Sequence, residues 1–346
     1  MRQRCQARRV HFRSAAVILS AGLVLTACGG GESDTSAEGS GGGESCAYPE
    51  EDITFVVPYG PGGSTTPLAR KYTELLEEEL EGSTIVVENR EGGSATVGTS
   101  AVATAEPDGY TIGMTTGAAV FARPMVTEGL PWDGIEDFQP IALMGAGSTL
   151  LAVREDSEFQ TLDDLLEYAE ENPGEIQVGV SNLGGTQHLG LALVAESAGV
   201  ELEPVPFSGG GGEALVELLG GRVDVLAGQV ATLRGHLDSG EVRALAVMSD
   251  DDDPTLPEVP TTAELGLSEG LAADLIVVAP KGIPDCVRDR LADASARVLE
   301  SSEYVEFMEQ NGYRVEETVS TPDELAANLE EDAGKYEALR DLLTEN

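Results

Sequence analysis

Basic residues are scarce. The 346-residue chain carries 20 Lys and Arg against 62 Asp and Glu, a formal net charge of −42, and its lysines are Lys71, Lys281 and Lys335. Five arginines (Arg2, Arg4, Arg8, Arg9, Arg13) fall in the first 13 residues; without that segment the balance is 15 against 62, or −47. No basic patch is left to meet a phosphate backbone, which excludes a nucleic-acid partner. The acid is dispersed, as at Glu77, Glu78 and Glu79 and the four aspartates at 250–253, and reads as a solvated surface. Such an excess over lysine is expected of a chain that works in high salt, where ions screen its self-repulsion. Histidine is equally sparse. Beyond the leader there are His188 and His236, and no Cys-x-x-Cys occurs, so neither a metal nor a cofactor is expected. The nearest approach to a Gly-x-Ser-x-Gly elbow, Gly179-Val-Ser-Asn-Leu183, lacks its last glycine, which argues against a hydrolase. No apolar run is long enough to span a bilayer: residues 14–27 give 14, against roughly 20 needed.

That run follows the five arginines and ends Leu25-Thr-Ala-Cys28. Residues 1–27 therefore read as a secretory signal. The ending resembles the bacterial lipoprotein box, which implies a diacylated Cys28 at the mature N-terminus and a protein held on the outer face of the cell membrane by its lipid alone. Residues 29–45 are Gly, Ser and acid with one Ala and one Thr, unable to build a core. The 28–46 segment is expected to be a disordered tether with a reach of roughly 23 Å. Of four cysteines, Cys5 leaves with the signal and Cys28 takes lipid; Cys46 and Cys286 remain in an oxidising compartment and are expected to pair, tying the chain's start to a late helix.

The folded part begins with a strand, Ile53-Thr-Phe-Val-Val57, apolar enough to be buried on both faces and stopped by Pro58. A glycine-rich loop follows, Tyr59 with glycines at 60, 62 and 63, and then a helix with Ser64 or Thr65 as N-cap and Pro67 in the first turn. Unpaired N–H groups and the positive end of the helix dipole there make a ready anion site. No Gly-Lys-Ser/Thr follows, so it is not a P-loop. Downstream, strands at 84–89, 110–114, 141–144, 150–153, 176–180, 203–206, 223–227, 243–248, 275–279 and 313–316 alternate with helices, including 95–105, 162–171 opened by Thr161, and 189–198. Strands alternating with helices imply mostly parallel sheets, with ligands at the strands' carboxyl ends. Glycine-rich loops lie there after Val57, after Val180 (Ser181 to His188) and after Pro206 (Phe207-Ser208, then glycines at 209–212). They offer N–H donors and hydroxyls with few charges, which suits a small carboxylate. His188 is read either as touching the ligand or as packed at the helix start, donating to a carbonyl. Asp224 is read as a ligand contact or, more commonly for its type, a cap; Arg123 and Arg234 as partners for a carboxylate or as surface salt bridges; His236 as surface; Trp132 as packing beneath a long connection.

The set Val56-Val-Pro-Tyr-Gly-Pro-Gly-Gly-Ser-Thr65, Val86-Val-Glu-Asn-Arg90, Pro107-Asp-Gly-Tyr-Thr111, Asn172-Pro-Gly174, Gln187-His-Leu189, Leu218-Leu-Gly-Gly-Arg-Val-Asp224, Val242-Arg-Ala-Leu-Ala-Val247 and Leu256-Pro-Glu-Val-Pro-Thr261, in this order over residues 48–342, resembles the substrate-binding proteins of tripartite tricarboxylate transporters, the Bug family. The resemblance implies a two-lobe, type-II periplasmic-binding-protein fold with the ligand in the interlobe cleft. Lobe I would be 47–148 plus 250–346, and lobe II 149–249. It implies a non-enzymatic, monomeric protein that captures a small di- or tricarboxylate and delivers it to permease subunits in the membrane. Family binding loops map onto Tyr59, Gly62, Gly63, Ser64, Thr65 and Thr66; Thr115 and Thr116; Ser181, Gly184, Gly185, Thr186 and His188; Phe207 and Ser208; and Gln229. The chain also departs from the family pattern. Thr66 stands where an Asp able to take a ligand amine is common, Gly184-Gly-Thr-Gln-His188 has one hydroxyl fewer, Ser208 replaces a Tyr-Lys or Tyr-Arg pair, and an aromatic is missing near Asp274. The same fold could instead serve a carboxylate sensor for a signalling partner; an extracellular hydrolase would need a nucleophile–base pair at the cleft.

Overall fold

A computed structural model describes residues 46–61, 65–207, 210–249, 252–253, 255–268, 270–315 and 320–340. The signal, Cys28, the tether and the loop residues Gly62, Gly63, Ser64 and Ser208 lie outside the described residues. Cys46 and Cys286 are joined by a disulfide, with Cα atoms 5.8 Å apart.

Two mixed sheets carry the fold. The six-stranded sheet is built from β1 (Ile53–Val57), β2 (Ile85–Asn89), β3 (Thr111–Thr115), β4 (Phe138–Gly147), β10 (Ala273–Pro280) and β11 (Tyr313–Arg314) in the order β11-β4-β10-β3-β1-β2. The five-stranded sheet uses β5 (Thr149–Arg154), β6 (Gln177–Val180), β7 (Glu203–Pro206), β8 (Val225–Gln229) and β9 (Val242–Val247) in the order β7-β6-β8-β5-β9. Apolar runs bury both faces of each. In β10, Leu275, Val277 and Ala279 join one core while Ile276 and Val278 join the other; in β5, Leu151 and Val153 face one side and Leu150 and Ala152 the opposite one. This is the two-sided burial that an uninterrupted Val/Ile/Leu run predicts.

The expectation of mostly parallel sheets needs correction. The pairs β1–β2, β1–β3, β6–β7 and β6–β8 are parallel, whereas β3–β10, β4–β10, β4–β11, β5–β8 and β5–β9 run antiparallel. The βα alternation reads only local crossovers. β4 passes into β5 through Ser148 with no helix between, and the segment from 248 to 272 returns the chain from β9 to β10; β5 and β10, the strands entered through these passages, run against their neighbours, while β4 and β9 keep the sense of the parallel strands.

The helices are α1 (Thr65–Glu79), α2 (Thr96–Ala103), α3 (Arg123–Val126), α4 (Leu162–Glu171), α5 (Thr186–Ala198), α6 (Gly211–Leu219), α7 (Val230–Asp238), α8 (Asp285–Glu300), α9 (Ser302–Gln310) and α10 (Pro322–Ala338). Helix α4 starts as its sequence dictates, because Thr161 and Asp164 form a reciprocal capping box. Two expectations differ. Strand β4 is one ten-residue strand rather than a short segment at 141–144, and α5 begins three residues before 189, at Thr186. The connection after β3 also holds a wide π turn, Ala118–Ala122, running into α3. Trp132 packs beneath it, 3% exposed, with Nε1 donating to Ala119 O at 3.3 Å.

Candidate functional site

A cavity of about 430 Å³ opens where the carboxyl ends of parallel strands from both sheets meet. From the six-stranded sheet it is lined by Tyr59 and Thr65 after β1, Ser94 after β2, Thr116, Ala118, Ala119 and Arg123 after β3, and Ala273 and Leu275 of β10. The other sheet contributes Ser181, Asn182, Gly184, Gly185, Thr186 and Gln187 after β6, Gly210, Gly211 and Gly212 after β7, and Ala227, Gly228, Gln229 and Thr232 around the β8–α7 turn. No Asp or Glu is among these described residues, although the chain holds 62.

The N-termini of α1, α5, α6 and α7 all reach this wall. Helices α5, α6 and α7 begin after Gly185, Gly210 and Gln229, and none has a side-chain cap. The hydroxyl of Thr65 is buried without a hydrogen-bond partner. Open helix termini carry unpaired N–H groups and a partial positive charge. With a hydroxyl left unsatisfied beside them, the wall is a donor surface for an anion.

Several neighbours hold that surface in place. Asn89 Nδ2 donates to Tyr59 O and to Thr66 Oγ1, both at 2.8 Å, and the Thr66 hydroxyl donates to Gly60 O at 3.3 Å. Tyr59 Oη and Thr116 Oγ1 share a hydrogen bond of 3.4 Å, linking the β1 and β3 loops. Burial raises the Tyr59 phenol, so it stays neutral. Ser94 and Ala95 sit at φ 52° and 76°, a left-handed pair that costs roughly 1–2 kcal/mol per residue. Such strain is typical of a ligand-facing turn. In the second loop the Ser181 hydroxyl donates to Gln187 Oε1 at 2.9 Å and so aims the amide. Gly184 has φ 65°, the left-handed region in which glycine is at ease. His188 Nδ1 accepts the Gly184 N–H at 2.9 Å. Burial, and then the Arg123 charge, push the His188 imidazole down, so it is neutral with its proton on Nε2.

Four expected contacts sit elsewhere. Thr66 braces the first loop as described. Thr115 is fully buried, its hydroxyl 3.2 Å from Thr99 Oγ1, because strand alternation turns it away from its neighbour Thr116. His188 faces the backbone of its own loop and accepts a hydrogen bond rather than donating one. Phe207 packs against the core of the five-stranded sheet. Asp224 serves neither a ligand nor a helix: its Oδ2 accepts the N–H of Gln177, the first residue of β6, at 2.9 Å. Arg234 makes a 3.7 Å ion pair with Asp238, and His236 pairs with Glu241 at 2.7 Å, both at the surface.

Ser94, Asn182, Gln187 and Thr232 also line the cavity without having been singled out in the sequence, and Arg123, read there as a carboxylate partner or a surface salt bridge, stands in the same wall. Ser94 had a signal: β2 runs parallel to β1, so the Gly92-Gly93 loop that ends it must open at the same edge. For Arg123 two readings stood open, since a sequence does not say whether an arginine finds an acid. In the fold its Nη2 donates to Leu183 O at 2.7 Å and, more weakly, to Asn182 Oδ1 at 3.5 Å, reaching from α3 to the β6–α5 loop.

The family of this cavity follows from comparison. Residues 68–337 match the tripartite tricarboxylate transporter family receptor model. The chain belongs to that family. A UPF0065 protein from the tcbD–tcbE intergenic region of Pseudomonas sp. strain P51 is 37% identical over 273 residues, covering 78% of this chain and 80% of its own. Among solved structures, the periplasmic binding protein BugD is 31% identical with a TM-score of 0.75, covering 86% of this chain and 98% of its own. Rpa4515 of R. palustris, solved with adipate, is 30% identical with a TM-score of 0.76 over the same shares. The family's fold, that of periplasmic binding proteins, is therefore this chain's fold. These relatives are solute-binding proteins, and among the described residues no helix is long and apolar enough to cross a membrane.

Proposed function

We propose that the chain is an extracytoplasmic receptor that captures a small di- or tricarboxylate in this cavity and delivers it to the permease of a tripartite transporter. The observation that carries the reading is a wall with no acid among its described residues, onto which uncapped helix N-termini converge, in a protein whose composition is otherwise dominated by acid. Long-range attraction of an anion to such a surface is unfavourable, so affinity comes from local donors within a desolvated cavity. Tyr59, Thr65, Thr116, Ser181, Gly184, Gly185, Thr186 and Gln229 supply or frame those donors; Gly62, Gly63, Ser64 and Ser208 belong to the same loops in sequence. Lobe I comprises 47–148 plus 250–346 and lobe II 149–249. They close on the ligand through the passages at Ser148 and 248–272, so each lobe adds donors to one anion. The protein works as a monomer, anchored outside the cell membrane through lipidated Cys28.

A ligand that binds only the native state raises the melting temperature by mass action. Thermal-shift screening in high-salt buffer against mono-, di- and tricarboxylates and acidic amino acids should give a saturable rise for at least one acid. A folded protein that no carboxylate shifts would sink the reading.

A further inference from the structure

The cavity wall carries one charged side chain among its described residues, and it has no carboxylate partner. Arg90, Arg154, Arg234, Arg243, Arg288 and Arg297 each lie against an Asp or Glu. Where acids outnumber bases 62 to 20, that is the ordinary fate of an arginine. Arg123 instead bonds to two neutral oxygens across the cavity, Leu183 O and Asn182 Oδ1, both through Nη2. Burial pushes its pKa down, a mark of a desolvated cation, yet a guanidinium remains charged at any physiological pH. Its Nε and Nη1 donate to no described residue, and neither is sealed from the cavity as a buried unsatisfied atom. A partly buried cation with idle donors open to the cavity is a ready partner for an anion. The π turn after β3 is what delivers it here, since α3 continues directly from Ala122 into Arg123.

The opposite feature is missing. Among the described residues no acid lines the cavity, and Thr66 is occupied in bracing Gly60 and Asn89, so the described wall offers an ammonium group no partner. We propose that Arg123 receives the second carboxylate of a dianionic ligand whose first carboxylate sits on the open helix termini. The site then selects amine-free dicarboxylates over monocarboxylates and amino acids of equal length. This rests on the carboxylate reading above and adds a named residue and a selectivity to it. Because Arg123 also holds the carbonyl of Leu183, a ligand bound to it is tied to elements of both sheets at once.

The test uses isothermal calorimetry on three matched series: straight-chain C4 to C8 dicarboxylates, the same acids ending in methyl, and the same acids ending in an amine. The wild-type protein should bind its best dicarboxylate at least about tenfold tighter than the methyl-ended partner, the scale of one charge-assisted hydrogen bond. Arg123→Gln should weaken that dicarboxylate roughly 10- to 100-fold while moving the methyl-ended acid by less than about threefold, so the preference collapses. Arg123→Glu should shift the preference toward the amine-ended acid. Equal weakening of both acids by Arg123→Gln, or no change in either, would overturn the proposal and leave Arg123 a structural tie. Equal wild-type affinity for the di- and monocarboxylate overturns it while leaving the receptor reading intact; no wild-type binding of any carboxylate overturns both. Unliganded melting temperatures check folding, and should Arg123→Gln not fold, Arg123→Lys, which keeps charge but loses the fork, reads the same ratio and should show an intermediate loss.

Discussion

Helices that face the cavity begin differently from those that do not. Helices α4, α9 and α10 start at Thr161, Ser301 and Thr321, each accepting a backbone N–H, and their first turns hold Asp163, Asp164, Glu303, Asp323 and Glu324. Helices α5, α6 and α7 start at Gly185, Gly210 and Gln229 without a side-chain cap, and Glu213 of α6 is the one acid in their first turns. Helix α8 departs from the pattern only because Pro284 has no side-chain acceptor. A cap and an acidic first turn are each worth up to about 1 kcal/mol. The cavity helices forgo both, which leaves their N–H groups and positive ends for a ligand. The difference separates stability from function within one kind of element.

Four substitutions probe that difference, in descending size. Gly184→Val puts a β-branched residue at φ 65° with its Cβ 3.2 Å from Arg123 Nη2. It should weaken carboxylate binding roughly 100-fold, about 2.7 kcal/mol, measured by calorimetry; unchanged affinity would remove the β6–α5 loop from the site. Gln229→Asp gives α7 the cap it lacks, at a residue whose φ of −79° and ψ of 140° suit one. Melting temperature should rise by about 2 °C while affinity for an anion falls at least about tenfold; affinity that holds would mean α7 does not face the ligand. Thr161→Ala opens a cap far from the cavity. It should cost about 1 kcal/mol, or some 2 °C, with no change in affinity.

The smallest effect is the pH response of His188. Its folded pKa is depressed by burial and then by Arg123, so the unfolded chain binds the proton first as pH falls. The stabilising contribution of neutral His188 is present above about pH 6.5, its unfolded pKa, and is lost as the pH drops below it. Melting curves between pH 7.5 and 5 should show a steeper decline for wild type than for His188→Asn. Parallel declines would show that His188 carries no proton linkage.

What the sequence makes legible depends on how local the cause is. The bounds of α4 could be read because Thr161 and Asp164 cap each other three residues apart, and β1 because five β-branched or aromatic residues, four of them apolar, stop at a proline. The loops around the cavity were legible from their glycines. The π turn was not, since Ala118, Ala119, Val120, Phe121 and Ala122 are all buried and show no periodicity. Nor was the reversed entry of β5 and β10, which follows from how the chain passes between sheets. Thr115 and Thr116 are alike in sequence, and only strand pleat sends one to α2 and the other to the cavity. Arg123 was the hardest to read, because its significance lies in the acids that are not near it.

The bond between Cys46 and Cys286 has a mechanical meaning. A pull on the chain upstream of residue 46 does not have to peel β1 from its neighbours, because it passes through sulfur into the first turn of α8, and from there into the core where Val287 and Leu291 pack with Ile53 and Phe55. Load thus enters the six-stranded sheet's side of the molecule, and the five-stranded sheet, with the β6–α5 loop that Arg123 touches, lies off that load path.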